Sequence, residues 1–310
     1  MPSFSNFSFE SSNGKSSINC LKCVPDNDIK GVVQIAHGIA EHIDRYRGFM
    51  EFLANNGYVA VGNDHQGHGK TVSADISEKG KFTENNGWFS VVSDMAKLHD
   101  IMKAEYPDKK YIMFGHSMGS FLTRTYIIDY PDKYDMAILS GTGHQGSLLI
   151  FAGNLMANLQ VKNNGYDSDG TKLANLAFGS YLKRIDNPRT EYDWLSRDEA
   201  IVDKYIADDM CGFTCKTGLY KDMMSGIKYI VNKTNIGKMD PKKPVYFMSG
   251  KEDPVGDYGA GVEKAYKCFC DAGLKDVTIR LYEGGRHEML NELNKEDVMN
   301  DIVNWINERI

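Results

Sequence analysis

Residues 111–130 read YIMFGHSMGSFLTRTYIIDY, and the change of period inside this stretch decides the fold. YIMF is a short apolar run of strand length. From Met118 onward apolar residues recur at helical spacing, and Pro131 closes the run. Between the two lies Gly115-His116-Ser117-Met118-Gly119, a G-x-S-x-G pentapeptide. A strand turning abruptly into a helix needs flanking positions without side chains, because a Cβ there collides with neighbouring backbone. The serine at the tip is then strained, with its hydroxyl above the sheet at a helix N-terminus. Alone the pentapeptide is a weak signal, and a plain turn with an N-capping serine is the alternative. Its setting, after a buried strand and at the start of a helix, makes it specific.

The same alternation extends outward from this junction. Residues 31–37 (GVVQIAH), 58–62 and 136–139 are apolar runs of strand length, and 42–55 and 91–105 carry helical spacing. Runs without half-polar alternation predict strands buried on both faces, hence a mostly parallel sheet with helices on both sides. The chain opens with a predicted hairpin: Phe7 and Phe9 alternate with polar residues, Asn13-Gly14 is a turn pair, and 16–24 alternates again. Residues 144–236 hold mainly helical patterns. Strand 245–248, helix 259–271, strand 277–282 and helix 295–310 then resume the rhythm. The expected organisation is a core made of 1–143 and 237–310, with a helical lid inserted at 144–236. Most apolar residues of that insertion are expected to form the lid's own core.

A serine hydroxyl is a poor nucleophile until a base takes its proton. In a fold of this kind the partners follow in the order serine, acid, histidine. After Ser117 come only His144 and His287. His144 precedes any acid of the last strands, whereas His287 follows the last strand in a Gly-Gly loop, so His287 is the expected base. The acid should follow the preceding strand, where both Glu252 and Asp253 qualify; Asp253 is preferred because Pro254 sets the turn after it. The oxyanion donors should be the N–H of Met118, next to the nucleophile, and that of Ile39, where Gly38 lets the loop turn inward.

These residues lie within longer matches: HGIAEHIDRY (37–46), DHQGHG (64–69), GHSMG (115–119), DPV from Asp253, and RHE (286–288). Together they resemble the monoacylglycerol lipase and lysophospholipase group of the α/β-hydrolases, also labelled serine aminopeptidase-like. The likeness spans 31–310, and the insertion, with WLSRD at 194–198, is similar to the bacterial branch. The resemblance implies an α/β-hydrolase fold with a helical lid, an acyl pocket, and cleavage of monoacylglycerol, lysophospholipid or similar acyl esters without cofactor or metal. It assigns Ser117, Asp253 and His287 to catalysis and Ile39 and Met118 to the oxyanion hole. Glu41, His42 and Arg45 become loop-bracing residues, and His65 and His68 structural ones. Ser120 departs from the second glycine of many members, beyond the elbow. An amide or thioester substrate, or a non-catalytic binding protein, are the alternatives, since one fold hosts many functions.

Composition narrows the rest. The 310 residues carry a net charge of −6 and no long basic block, which excludes a nucleic-acid partner. The first fifteen residues lack a basic n-region and an apolar core, and no run reaches membrane-spanning length. Six cysteines without a four-ligand Cys/His spacing are expected to be reduced thiols in a cytoplasmic protein. The exposed tips of lid helices are expected to touch a lipid surface transiently; no signal for oligomeric state is present.

Overall fold

A computed structural model describes residues 1–72 and 78–310. Its centre is an eight-stranded sheet: β1 (Ser3–Glu10), β2 (Ser17–Val24), β3 (Gly31–Ala36), β4 (Tyr58–Asn63), β5 (Lys110–His116), β6 (Met136–Ser140), β7 (Val245–Gly250) and β8 (Val277–Tyr282). The spatial order is β1-β2-β4-β3-β5-β6-β7-β8. β1 and β2 form the expected hairpin, with Phe7 opposite Cys20, and β2 joins β4 antiparallel. All pairs from β4 to β8 are parallel.

Helices cover both faces. α1 (Arg47–Asn55) lies on one side and α2 (Gly87–Glu105) and α3 (Met118–Asp129) on the other; α9 (Ala260–Asp271) and α10 (Lys295–Asn307) complete the two layers. β5 shows why its sequence reads as a continuous apolar run. Tyr111 and Met113 pack with Leu122 and Tyr126 on one face, while Ile112 and Phe114 pack with Phe49 and Ile302 on the other. The helical run read at 42–55 begins as a 3-10 turn at Ile43–Tyr46 before α1 takes over.

Between β6 and β7 stand α4 (Ser147–Asn164), α5 (Thr171–Phe178), α6 (Glu199–Ala207), α7 (Thr217–Ile230) and α8 (Lys233–Ile236). α7 belongs to the main core: Leu219 and Ile230 pack with Trp88 and Leu122. The expectation that this segment's apolar residues mostly bury one another fails for α4. Leu148 is 82 % exposed, and Leu149, Phe151, Leu155, Met156 and Leu159 are exposed too. The reason is close packing on α7. The inward face of α4 is Ile150, Gly153, Asn154 and Ala157; a Cβ on Gly153 would lie 2.4 Å from Met224 Cε, and Asn154 Nδ2 donates to the Met224 carbonyl at 3.0 Å. Small residues bring the backbones together and leave the large ones outside. No described helix is long and apolar enough to cross a membrane.

The strand order reverses between β3 and β5: β4 lies beyond β3 on one side and β6 beyond β5 on the other. Open parallel sheets bind ligands outside the carboxyl ends of their strands at such a reversal. Ile39, Ser117, Asp253 and His287 all lie in the loops just after the carboxyl ends of β3, β5, β7 and β8.

Candidate active site

Ser117 sits between the end of β5 and the start of α3 with φ 54° and ψ −122°. That conformation is strained for a residue with a Cβ and persists only where the surroundings enforce it. Here they do. The Ser117 N–H donates to the Ser140 carbonyl at 2.9 Å. A Cβ on Gly119 would stand 2.0 Å from the Ala36 carbonyl oxygen, and one on Gly115 would stand 2.4 Å from the Gly119 carbonyl oxygen. The first turn of α3 is thus pressed onto the end of β3, which only glycine at both positions permits. Ser120 fits without disturbance, its hydroxyl bonding the Ser117 carbonyl at 2.6 Å.

His287 and Asp253 form a buried pair. His287 Nδ1 lies 3.0 Å from both Asp253 carboxylate oxygens. The Ser249 hydroxyl donates to Oδ2 at 3.0 Å and the Val255 N–H to Oδ1 at 2.9 Å. Burial alone would raise the Asp253 pKa; the facing imidazole and these two donors bring it below the usual carboxylate range. Burial alone would lower the His287 pKa; the Asp253 carboxylate, with Glu288 and Glu41 farther off, raises it above the ordinary imidazole value. Glu252, the alternative acid, is exposed. Ser117 and His287 line one cavity of about 260 Å³. Among the described residues the Ser117 hydroxyl makes no hydrogen bond; catalytic hydrogen bonds of unliganded enzymes commonly close only with substrate.

The loop after β3 abuts Ser117: a Cβ on Gly38 would lie 3.2 Å from Ser117 Cβ. Gly38 donates its N–H to Glu41 Oε1 at 2.5 Å. Among the described residues, neither the Ile39 nor the Met118 N–H donates to a protein acceptor. The loop is held from beneath by His37. Its Nε2 can only accept from the His65 N–H (3.0 Å), so Nδ1 carries the proton and donates to the Gly38 carbonyl (2.7 Å). Burial, the largest influence on His37, takes its pKa down to about 4, so it stays neutral.

Arg45 ties the loop to the histidine. It contacts Glu41 Oε2 at 2.5 Å and both Glu288 oxygens at 2.7 Å. Burial would raise Glu41; Arg45 above all, then His116, His37 and the Gly38 N–H, hold it at about 2. Ala40, with φ 52°, is fastened by Tyr205 (hydroxyl to carbonyl, 3.1 Å) and Gly212 (N–H to carbonyl, 3.0 Å). Sequence reading placed Glu41, His42 and Arg45 as braces. It assigned nothing to Glu288, Ser249, His116 or Trp194, though Glu288 stood inside the quoted RHE.

His144 lies elsewhere, 3.9 Å from Cys268 Sγ. His65 and His68 are buried and lowered in pKa chiefly by that burial. Among the described residues one group has metal-ligand spacing, His42, Asp208 and Cys211, within 4.8 Å of one another. A direct His42–Asp208 contact of 2.8 Å already occupies it, and it lines a neighbouring groove rather than the Ser117 cavity. All six cysteines are free thiols.

The wall of the cavity holds apolar Ala174, Phe178, Leu182, Trp194 and Phe213 beside polar Asn175 and Thr214. An eight-stranded, mostly parallel sheet with this elbow defines an α/β-hydrolase, and the chain is a carboxylic ester hydrolase. Residues 27–294 match the family described as serine aminopeptidase, S33, and the chain belongs to that family. It is 28 % identical to a monoacylglycerol lipase of Mycolicibacterium smegmatis, over 91 % of this chain and 90 % of the relative. It is 24 % identical to the human monoglyceride lipase, over 94 % and 86 %. Among solved structures, a thermostable carboxyl esterase from Bacillus coagulans in complex with glycerol superposes with a TM-score of 0.92 at 30 % identity, covering 99 % of both chains.

Proposed function

We propose that the chain hydrolyses monoacylglycerols and similar single-chain acyl esters through an acyl-enzyme on Ser117. The supporting observation is the buried Asp253–His287 pair, whose imidazole lines one cavity with a strained Ser117. His287 takes the hydroxyl proton as Ser117 attacks the carbonyl carbon, and returns it to the leaving alcohol as the ester bond breaks. Asp253 holds the proton on Nδ1 and stabilises the imidazolium. The N–H groups of Ile39 and Met118, the latter at the N-terminus of α3, receive the oxyanion. Water, deprotonated by the same imidazole, releases the acid.

Ala174, Phe178, Leu182 and Phe213 give the cavity an apolar wall suited to an acyl chain. An aminopeptidase reading, favoured by the family's description, needs a free carboxylate for the substrate ammonium. Of the cavity carboxylates, Glu41 and Glu288 are both spent on Arg45, which leaves the exposed Glu191 to fill that role. Residues 144–236 act as a lid over the site. Its α4 meets the lipid–water surface where such substrates reside: Leu148, Leu149, Phe151, Leu155, Met156 and Leu159 fall within a sector of about 160° at helical spacing. The only basic residue of α4 is Lys162, so the contact is with uncharged lipid. The free thiols support a cytoplasmic setting.

The test is a set of initial rates across monoacylglycerols of rising chain length, lysophospholipids and aminoacyl p-nitroanilides. Rates should be highest for the monoacylglycerols and negligible for the anilides. Faster anilide turnover would overturn the ester reading.

A further inference from the structure

Residues 193–197 (DWLSR) have neither helical nor strand pattern, yet Asp193, Leu195 and Ser196 are buried. The loop that carries His287 buries them. The His287 N–H donates to the Trp194 carbonyl at 3.3 Å and the Glu288 N–H to the Leu195 carbonyl at 2.7 Å, so the two segments pair backbone to backbone. Arg286 Nη1 reaches the carbonyls of Asp193 (2.6 Å) and Ser196 (3.1 Å), and the Ser196 hydroxyl donates to the Asn291 carbonyl at 2.9 Å.

Glu292 closes the arrangement. Its carboxylate is fully buried and accepts from four groups: the N–H of Arg197 (3.1 Å), Arg286 (2.9 Å) and Leu293 (3.0 Å), and the Arg197 guanidinium (2.9 Å). Burying a carboxylate is costly unless its oxygens are hydrogen-bonded as fully as these are. Two of the four donors belong to residue 197 and two to the histidine loop, so Glu292 latches one segment to the other.

The consequence falls on the imidazole. The Trp194 indole packs beside the His287 ring, with centroids 5.0 Å apart at 41°, and the His116 ring packs beside it at 4.6 Å and 47°. Gly141 admits the ring edge: a Cβ there would stand 2.8 Å from His287 Cε1. Asp253 takes Nδ1. Three of these constraints come from the core, and the fourth, Trp194, comes from the helical insertion.

We propose that Trp194 is a positioning residue for His287, and that the 193–197 strap latched by Glu292 is a fixed wall of the active site. The proposal rests on the reading of His287 as the base. Within the insertion, this strap cannot lift without releasing the base. Trp194 acts by holding the ring's direction toward Ser117 and keeping water from its face.

The experiment compares Trp194→Ala and Trp194→Phe with the parent chain. One readout is the rate of inactivation by a small alkyl fluorophosphonate, and the other is the pH profile of kcat/KM on p-nitrophenyl acetate, too short to use an acyl wall. Trp194→Ala should slow inactivation and lower kcat by about tenfold, the scale of a sub-ångström misplacement. Its acid limb should move to higher pH, because less apolar cover disfavours the imidazolium less, with Asp253, Glu288 and Glu41 still facing it and His116 neutral. Trp194→Phe should restore both. Should Trp194→Ala fail to fold, Arg197→Met loosens the latch from a part-exposed position and should slow inactivation in the same direction. A variant with parental inactivation rate and acid limb, altered only in KM or chain-length preference, would overturn the proposal. A parent chain inert to the fluorophosphonate would instead overturn the reading of His287 as base.

Discussion

Replacing Asp253 by Asn removes one charge and little else, and the structure says how the amide must sit. The Val255 N–H can only donate, so it pins the amide oxygen at the Oδ1 position. The Ser249 hydroxyl can rotate to accept, so the amide NH₂ takes the Oδ2 position. Because His287 Nδ1 is 3.0 Å from both positions, it can donate to the amide oxygen or accept from the amide NH₂, so the productive tautomer is no longer enforced. Also lost is the attraction between carboxylate and imidazolium in the transition state. At 3.0 Å and an effective dielectric of about 20 that amounts to about 5 kcal/mol. Part of it is retained as a neutral hydrogen bond, so kcat should fall by about 10³-fold. The pH profile carries the sign. In the parent chain Asp253 raises the His287 pKa, and the base must be neutral, so kcat/KM falls as pH drops through a value above the ordinary imidazole pKa. In Asp253→Asn only the more distant Glu288 and Glu41 still oppose burial, and the acid limb should move to lower pH. The assay is pH-stat hydrolysis of a short acyl ester from pH 5 to 9. Full activity with an unmoved acid limb would refute the reasoning and return the role to another acid.

Gly38→Ala would place a Cβ 2.6 Å from Glu41 Oε1 and 3.2 Å from Ser117 Cβ; it should cut kcat by about 10²-fold, the value of one oxyanion donor, with KM changed less. Arg45→Met leaves the buried Glu41 and Glu288 carboxylates unpaired and should lower unfolding free energy by about 3–5 kcal/mol in urea titrations, with Arg45→Lys between the two. Glu41 is held at about 2 against 4.5 unfolded, so its stabilisation is full above about pH 4.5 and is lost as pH falls toward 2. Glu41→Gln should flatten the loss of stability across that window, read by thermal melts from pH 5 to 2.

The elements that sequence placed well are those whose burial follows a single period. β3 through β7 are apolar runs because helices cover both faces, and the hairpin is legible because β1 is an edge strand with alternating exposure. α2 begins at Gly87, four residues before the periodic signal at Val91. Asn86 precedes it in a left-handed conformation with no side-chain cap, so no start signal was present to read. β8 was legible at its observed bounds, Val277–Tyr282, although it is half exposed. In the insertion, composition indicated helices but not their orientation; the small residues that seat α4 on α7 decided which apolar side chains remain outside. The elbow, the late aspartate and the late histidine were legible because strand order and chain order constrain them together. The strap and its latch were not. Glu292 and Arg197 are 95 residues apart, and ordinary charged residues acquire that role only when the fold brings their loops together.

The most direct measurement is intact-protein mass spectrometry after treatment with a fluorophosphonate, followed by peptide mapping. The folded chain should gain one phosphonyl adduct, located on Ser117, with His287→Ala labelled far more slowly. A folded parent chain that remains unmodified, or carries the adduct on another serine, would contradict the account.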